Sequence, residues 1–167
     1  MSERDPKKFD PARADVLDAP EREAYLPTAE LIDLLDLEGV ERVVDYGAGT
    51  GRLSLAVAGE LAEGARVVAV EESNEMFERL SARVAAVAGV EAILIGDNRV
   101  PLDDGWAQRI LALNVLHEVR GETALTEMRR LLGVFGAEGA VREPQPGLEQ
   151  LDRLVERARQ AGLPVSV

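Results

Sequence analysis

Short apolar runs alternate with segments of helical periodicity along most of this chain. The runs that predict β-strands are Arg42–Tyr46, Arg66–Val70, Ala92–Ile95, Arg109–Leu113 and, more weakly, Gly139–Glu143 and Leu163–Val167. Between them, apolar residues recur three or four positions apart, as in an amphipathic helix. These positions are Met76, Phe77, Leu80, Val84 and Val87, then Leu125, Met128, Leu131 and Leu132, and finally Leu148, Leu151, Val155 and Ala158. The alternation indicates βαβ units and predicts an α/β fold with a doubly wound, mostly parallel sheet and helices on both faces.

The beginning of the chain follows a different pattern, since it is charged and interrupted by prolines. Asp10 and Pro11 predict the N-cap and first turn of a short helix over Ala12–Leu17. Thr28 predicts the cap of a second helix, which we expect to end at Gly39. We therefore predict an N-terminal helical segment at residues 1–38 and an α/β domain at residues 39–167.

Composition excludes several classes of partner. The 167 residues hold 31 acids against 19 bases, a formal net charge of −12, which argues against a phosphate-backbone partner such as DNA or RNA. The chain has no cysteine and one histidine, His117, so we expect no thiolate or histidine-cluster metal site. No apolar run approaches the roughly 18 to 20 residues that span a bilayer, and we expect no membrane span and a cytoplasmic protein.

A glycine-rich turn follows the first predicted strand, in the pattern D-x-G-x-G-x-G from Asp45 to Gly51. Glycine permits positive φ and lets a ligand lie against bare backbone, so the turn predicts a nucleotide-type pocket. A dinucleotide fingerprint needs a glycine where Arg52 stands, and a phosphate-binding P-loop needs a Gly-Lys pair that the chain lacks.

Polar residues also follow the other predicted strands, where open α/β sheets bind their ligands. Glu71 follows the second strand, twenty positions after Gly51, and its two oxygens match a ribose cis-diol, although a solvated surface acid is the alternative. Asp97 follows the third strand within Gly96-Asp97-Asn98, placed either to accept the amine of adenine or to form a turn. The fourth strand is followed by Asn114 and then His117.

This ordered set, over about residues 41–143, resembles the class I S-adenosylmethionine (SAM)-dependent methyltransferases. It is most similar to the small-molecule type related to ubiquinone/menaquinone-biosynthesis and arsenite methyltransferases. Residues Ala112–Arg130 look like that group's Asn-Val-Leu-His-Glu segment followed by a helix ending in E-x-x-R-L-L, which Glu127 and Arg130 match. The resemblance implies a Rossmann-like sheet and SAM as cofactor. It also implies that the N-terminal segment Asp10–Leu35 forms a lid over the methionine end of SAM.

The resemblance also assigns cofactor-binding roles. The residues it implies are Asp45, Gly47, Ala48, Gly49, Gly51, Glu71, Glu72, Met76, Asp97, Asn98 and Asn114. The glycine turn would hold the methionine portion, with Asp45 beneath it to fix the amino group. Glu71 would bind the ribose and Asp97 the adenine, while Asn114 would present its carbonyl near the amino group. Met76 would pack on the adenine face or in the core.

The chain departs from this family at three places. Glu72 stands where an apolar residue usually stacks on adenine, and Gly136-Ala137-Glu138-Gly139 replaces the usual Lys-Pro-Gly-Gly turn. The last strand of the seven-stranded sheet is missing from the pattern. Either Leu163–Val167 pairs beside Gly139–Glu143, or a second subunit covers the edge, or the sequence is a fragment. We expect a short sheet whose C-terminal edge favours a homodimer.

These observations predict a methyltransferase that acts on an unidentified small-molecule acceptor. His117 is the candidate catalytic base with Glu118 as its orienter, the alternative being that His117 only packs or caps a helix. A SAM-binding subunit or pseudoenzyme without a complete acceptor site is the second hypothesis. A nicotinamide-dependent oxidoreductase is disfavoured by Arg52.

Overall fold

The structure is a computed structural model that describes residues 9–113 and 121–134. Two 3₁₀ helices, Pro11–Leu17 and Pro20–Ala24, come first. The remaining elements are α1 (Thr28–Leu35), β1 (Arg42–Tyr46), α2 (Arg52–Glu60), β2 (Arg66–Glu71), α3 (Asn74–Val84), β3 (Val90–Leu94), β4 (Arg109–Leu111) and α4 (Gly121–Leu131).

In the described residues the strands form one parallel sheet in the order β3-β2-β1-β4. Val43 of β1 lies opposite Val67 of β2 on one side and Arg109 of β4 on the other, while Val67 also lies opposite Val90 of β3. Since all pairings are parallel, the carboxyl ends of the strands meet along one edge of the sheet. The order reverses between β1 and β4, which is where ligands of such sheets bind.

Alternate residues of the central strands face two different helical layers. On one face, Val44 and Val68 pack with Met128 of α4, together with Tyr46 and Ile95. On the other face, strand residues pack against α1, α2 and α3 in two clusters. One contains Val43 and Val67 with Ile32 of α1 and Val57 of α2, and the other contains Ala69 with Leu80 and Val84 of α3. The predicted doubly wound, Rossmann-like arrangement with helices on both faces is confirmed for the described residues.

The predicted strands agree with the observed ones to within a few residues. β1 has the predicted bounds, β2 includes Glu71 as well, β3 begins two residues early and ends one residue early, and β4 is two residues shorter. The helical stripes are narrower than predicted, since Leu125, Leu132 and Val87 are exposed. Their neighbours at the same spacing provide enough apolar surface to cover the sheet.

The N-terminal helices confirm one cap and correct another. Asp10 caps the first 3₁₀ helix, accepting a hydrogen bond from the Ala12 N–H at 3.1 Å. Thr28 does not cap α1 but is its first residue, and its hydroxyl and N–H donate to the Glu23 carboxylate. The helix ends at Leu35, before the predicted Gly39, because Asp36 takes the left-handed C-cap conformation at φ 47°.

The strands predicted at Gly139–Glu143 and Leu163–Val167, and the helix predicted from Leu148, lie outside the described residues, as does the predicted dimer edge. Across residues 9–113 and 121–134, no helix is both long and apolar enough to cross a membrane.

Candidate functional site

The glycine turn between β1 and α2 uses its N–H groups within the protein. Gly47 and Ala48 both donate to the Val70 carbonyl of β2, at 2.8 and 2.9 Å, and Gly51 donates to the Ala48 carbonyl at 2.9 Å. The Gly49 N–H donates to Glu71 Oε2 at 3.0 Å. These four donors are therefore engaged, and the turn presents bare backbone to a ligand more than hydrogen-bond donors.

Two positions in this turn require glycine for different reasons. Gly49 has φ +57°, and a Cβ there would lie 3.3 Å from Leu17 Cδ1 and 3.9 Å from Met76 Cε. Gly51 has φ +78°, and a Cβ there would lie 2.6 Å from Cδ1 of the fully buried Leu80. Gly49 thus lets Leu17 of the first 3₁₀ helix pack against the turn, whereas Gly51 lets α3 pack closely against the start of α2.

Glu71 is fixed at the carboxyl end of β2 by three backbone donors. Besides Gly49, the N–H groups of Glu72 and Ser73 donate to its Oε1 at 2.8 and 2.9 Å. A carboxylate has about four acceptor positions, so one remains, and it lies on Oε2. Glu71 is only partly buried, which leaves this position within reach of a ligand.

Asp45 lies beneath the turn with 3% of its surface exposed. The Ser54 hydroxyl on α2 donates to its Oδ2 at 2.6 Å. Burial raises the pKa of Asp45 to about 6, and the nearby charge of Glu71 adds to the effect, while the Ser54 bond opposes it. The proton affinity of this carboxyl is thus coupled to the residues that shape the turn.

Asp97 and Asn98 form a turn that begins two residues after Ile95, whose N–H donates to the Glu71 carbonyl at 2.9 Å. Asp97 Oδ1 accepts from the Arg99 N–H at 3.1 Å, and Asn98 has a left-handed φ of 62°. Asp97 therefore forms a turn, which was one of its two predicted roles. Its carboxylate is exposed at the edge of the sheet where the ligand was predicted to bind.

The first 3₁₀ helix covers the glycine turn. The Leu17 side chain lies against Gly49, and Asp18 Oδ1 accepts from the Thr50 hydroxyl at 2.9 Å and from Arg83 Nη1 at 2.8 Å. Arg52, at the start of α2, pairs with Glu23 of the second 3₁₀ helix. The N-terminal segment is thus bound to the turn and to α3 by an apolar contact and several ionic ones.

The structure brings most of the predicted site residues together. Met76 is buried in the first turn of α3 near Gly49, and Glu72 is partly buried beside Glu71. Asn114 and His117 lie outside the described residues. Sequence reasoning missed Asp18, whose partners lie more than 30 residues away, and no local signal identifies such a contact.

A family model described as a methyltransferase domain matches residues 43–136. This match spans more than half of the chain and includes the glycine turn, Glu71 and Asp97. The chain belongs to this methyltransferase domain family. The family match and the structural neighbours described below indicate S-adenosylmethionine as the cofactor of this domain.

Relatives of this methyltransferase domain are found among curated proteins and solved structures. An uncharacterized methyltransferase of Mycobacterium tuberculosis is 35% identical over 120 residues, which cover 72% of this chain and 46% of that protein. A protein-L-isoaspartate O-methyltransferase of Methylorubrum populi is 29% identical over 129 residues, which cover 77% of this chain and 57% of that protein. The chain thus spans about half the length of these curated relatives.

Among solved structures, a SAM-dependent methyltransferase from Aquifex aeolicus is similar in fold. Its TM-score is 0.70 at 24% identity, with 96% of this chain and 92% of that chain covered. The similarity supports the fold of the methyltransferase domain.

Proposed function

We propose that this protein transfers a methyl group from SAM to a small-molecule acceptor, with the cofactor bound along the carboxyl ends of β1, β2 and β3. In this proposal Glu71 binds the ribose, the Asp97 turn binds the adenine, and the methionine portion lies on the glycine turn. Asp45 lies below that turn and favours the positive amino group.

The observation that best supports the proposal is the bond between the Gly49 N–H and Glu71 Oε2 at 3.0 Å. It joins the ribose-binding candidate to the methionine-binding candidate, although 22 positions separate them in the chain. The remaining acceptor position on Oε2 suits one ribose hydroxyl. A second ribose hydroxyl can donate to Glu71 only if one of the three backbone N–H groups no longer donates to this carboxylate.

The same geometry disfavours a cofactor bound through phosphates. A pyrophosphate needs free N–H donors, whereas those of Gly47, Ala48, Gly49 and Gly51 already have acceptors within the protein. A sulfonium cofactor carries no phosphate and is compatible with a turn that offers shape and bare backbone. The engaged N–H donors therefore favour SAM over a nicotinamide dinucleotide.

Methyl transfer from SAM is an in-line displacement at an already activated carbon, so the protein mainly aligns the reactants and excludes water. In the proposal, Leu17 and the rest of the first 3₁₀ helix exclude water from the methionine end, because they already cover Gly49. His117 remains our candidate for taking a proton from a hydroxyl or amine acceptor. The net charge of −12 favours a neutral or cationic acceptor over a nucleic acid.

Isothermal titration calorimetry with S-adenosylhomocysteine (SAH), SAM and NADH tests the cofactor assignment. We expect heat with the first two ligands and none with NADH, and a Glu71→Ala variant should bind SAH at least about tenfold more weakly. The matched control is Glu91→Ala, because Glu91 pairs with Arg66 near the other end of the sheet. Equal affinity of the Glu71→Ala variant and the wild type contradicts the ribose role.

Transfer itself requires a second measurement, the release of SAH from SAM in the presence of a broad panel of small acceptors. Acceptor-dependent release supports the enzyme. Binding of SAM with no release for any acceptor supports the non-catalytic SAM-binding alternative.

A further inference from the structure

Two side chains of α4 hold the loop that follows β3. The Val100 N–H donates to Glu127 Oε1 at 2.8 Å, and the Val100 carbonyl accepts from Arg130 Nη2 at 2.9 Å. Val100 is fully buried, so both of its backbone groups need partners. The α4 helix supplies the acceptor for its N–H and one of two donors to its carbonyl, the other being the Leu102 N–H at 2.8 Å.

Arg130 uses every donor of its guanidinium group in this arrangement. Nε donates to Glu127 Oε2 at 2.8 Å and Nη2 to Glu127 Oε1 at 2.6 Å, in addition to Val100. Nη1 donates to the Leu102 carbonyl at 2.7 Å and to Asp104 Oδ1 at 2.8 Å. A lysine, with three donors on one atom, cannot reproduce this planar pattern.

The pair is buried and charged. Glu127 is 6% exposed and Arg130 is 9% exposed. Burial alone would raise the pKa of Glu127, but the hydrogen bonds from Arg130 and Val100 hold it below its ordinary range. Both side chains therefore stay ionised at neutral pH, and their geometry is fixed by charge-assisted bonds.

The loop that the pair holds begins with the Asp97 turn. Val100 lies three residues after Asp97, and Asn98 between them has a left-handed φ of 62°. Asn adopts this conformation more readily than other non-glycine residues, and contacts on both sides of Asn98 hold the loop. On one side the Tyr46 hydroxyl lies 3.3 Å from Asn98 Oδ1, and on the other side Glu127 and Arg130 fix Val100.

We infer that Glu127 and Arg130 are positioning residues for adenine recognition, because they fix the loop whose first turn presents the Asp97 carboxylate. They act on the base through Asp97 and touch no part of the ligand. This inference rests on the proposed function, in which Asp97 accepts a hydrogen bond from the 6-amino group of adenine. It predicts that substitutions that break the bonds of Glu127 or Arg130 to the loop reduce the preference for ligands that carry this amino group.

The test compares SAH with an analogue whose purine lacks the 6-amino group, by calorimetry on folded protein. Wild-type protein should prefer SAH, and Arg130→Lys should lose about tenfold of affinity for SAH while binding the analogue almost unchanged. Arg109→Lys is the matched control, since Arg109 bonds the Leu35 and Gln108 carbonyls at the other end of the sheet. It should leave both affinities unaltered.

Two further variants keep the test decisive if Arg130→Lys does not fold. Glu127→Gln retains an acceptor for Val100 and should show the same selective loss to a smaller extent. In an Asp97→Ala background, where the amino group has no partner, the Glu127 and Arg130 substitutions should change SAH affinity less than about twofold.

The outcomes separate this inference from the proposed function. If wild-type protein binds no SAH, the proposed function and the inference both fail. If wild type prefers SAH over the analogue but the α4 variants weaken both ligands equally, the proposed function stands and the positioning role is wrong. Equal affinity of the wild type for the two ligands also overturns the positioning role.

Discussion

Gly51 shows at the residue scale why the turn needs its last glycine. Its φ of +78° is unfavourable for any other residue, and a Cβ would meet Leu80 Cδ1 at 2.6 Å inside a packed cluster. We expect Gly51→Ala to lower the free energy of unfolding by about 2 to 4 kcal/mol, from the left-handed conformation and overpacking together. Urea denaturation measures the change.

The matched control for this substitution is Gly59→Ala in α2. No atom lies within 4 Å of the Cβ position of Gly59, and its φ is not positive. This variant should be stabilised by up to about 0.5 to 1 kcal/mol. A Gly51→Ala protein as stable as the wild type contradicts the close packing of α3 on α2.

Asp45 predicts a pH-dependent term in stability. Its pKa in the folded protein is raised to about 6 from the ordinary 3.8, so folding favours the protonated form. The stability it contributes is fully present below pH 4 and is lost as the pH rises through about 6. Asp45→Asn cannot ionise, and its stability relative to the wild type should rise by roughly 2.5 kcal/mol between pH 4 and pH 7.

Chemical denaturation of both proteins across that pH range isolates the term, since the other acids contribute equally to each. Ser54→Ala serves as a second variant, because loss of its hydrogen bond should move the transition to higher pH. A constant difference between wild type and Asp45→Asn from pH 4 to pH 7 contradicts the raised pKa.

The N-terminal 3₁₀ helix is the element whose attachment is most accessible to experiment. Asp18 binds both the buried Thr50 hydroxyl and Arg83, which ties the helix to the turn and to α3. We expect Asp18→Ala to weaken this attachment by about 1 kcal/mol and to speed amide hydrogen exchange in residues 12–17 roughly fivefold. Exchange in β1 and β2 should not change.

Asp15→Ala is the matched control within the same helix. The Asp15 side chain is 95% exposed and its pairing with Arg79 is long, at 3.3 Å, so its removal should have little effect. Equal acceleration of exchange by the two substitutions would show that the Thr50 contact does not hold the helix.

The elements with regular local patterns were those that the sequence predicted well. β1 and β2 are buried on both faces and appear as continuous apolar runs, which makes their bounds legible. β4 is only three residues long, and the apolar residues Ala112 and Leu113 that follow it gave a longer prediction. The prediction that Thr28 caps α1 was wrong because the Thr28 hydroxyl donates to Glu23, five residues earlier, and does not bond its own helix.

At the scale of the whole molecule, the order of the strand-end residues was predictable and their contacts were not. In a parallel sheet the carboxyl ends of all strands lie at one edge, so the topology alone places Gly49, Glu71 and Asp97 there. Their common location was therefore predictable from their positions after the strands. The bond from Gly49 to Glu71, and the hold of Arg130 on Val100, depend on side-chain geometry across the fold. Periodicity contains no information about such contacts.

A crystal structure of the complex with SAH tests most directly whether an adenosyl ligand lies along this edge of the sheet. We expect a ribose hydroxyl within about 3 Å of Glu71 Oε2, with the homocysteine portion on the glycine turn and the adenine beside Asp97. A ligand bound elsewhere, or a ribose whose hydroxyls face away from Glu71, would contradict the account.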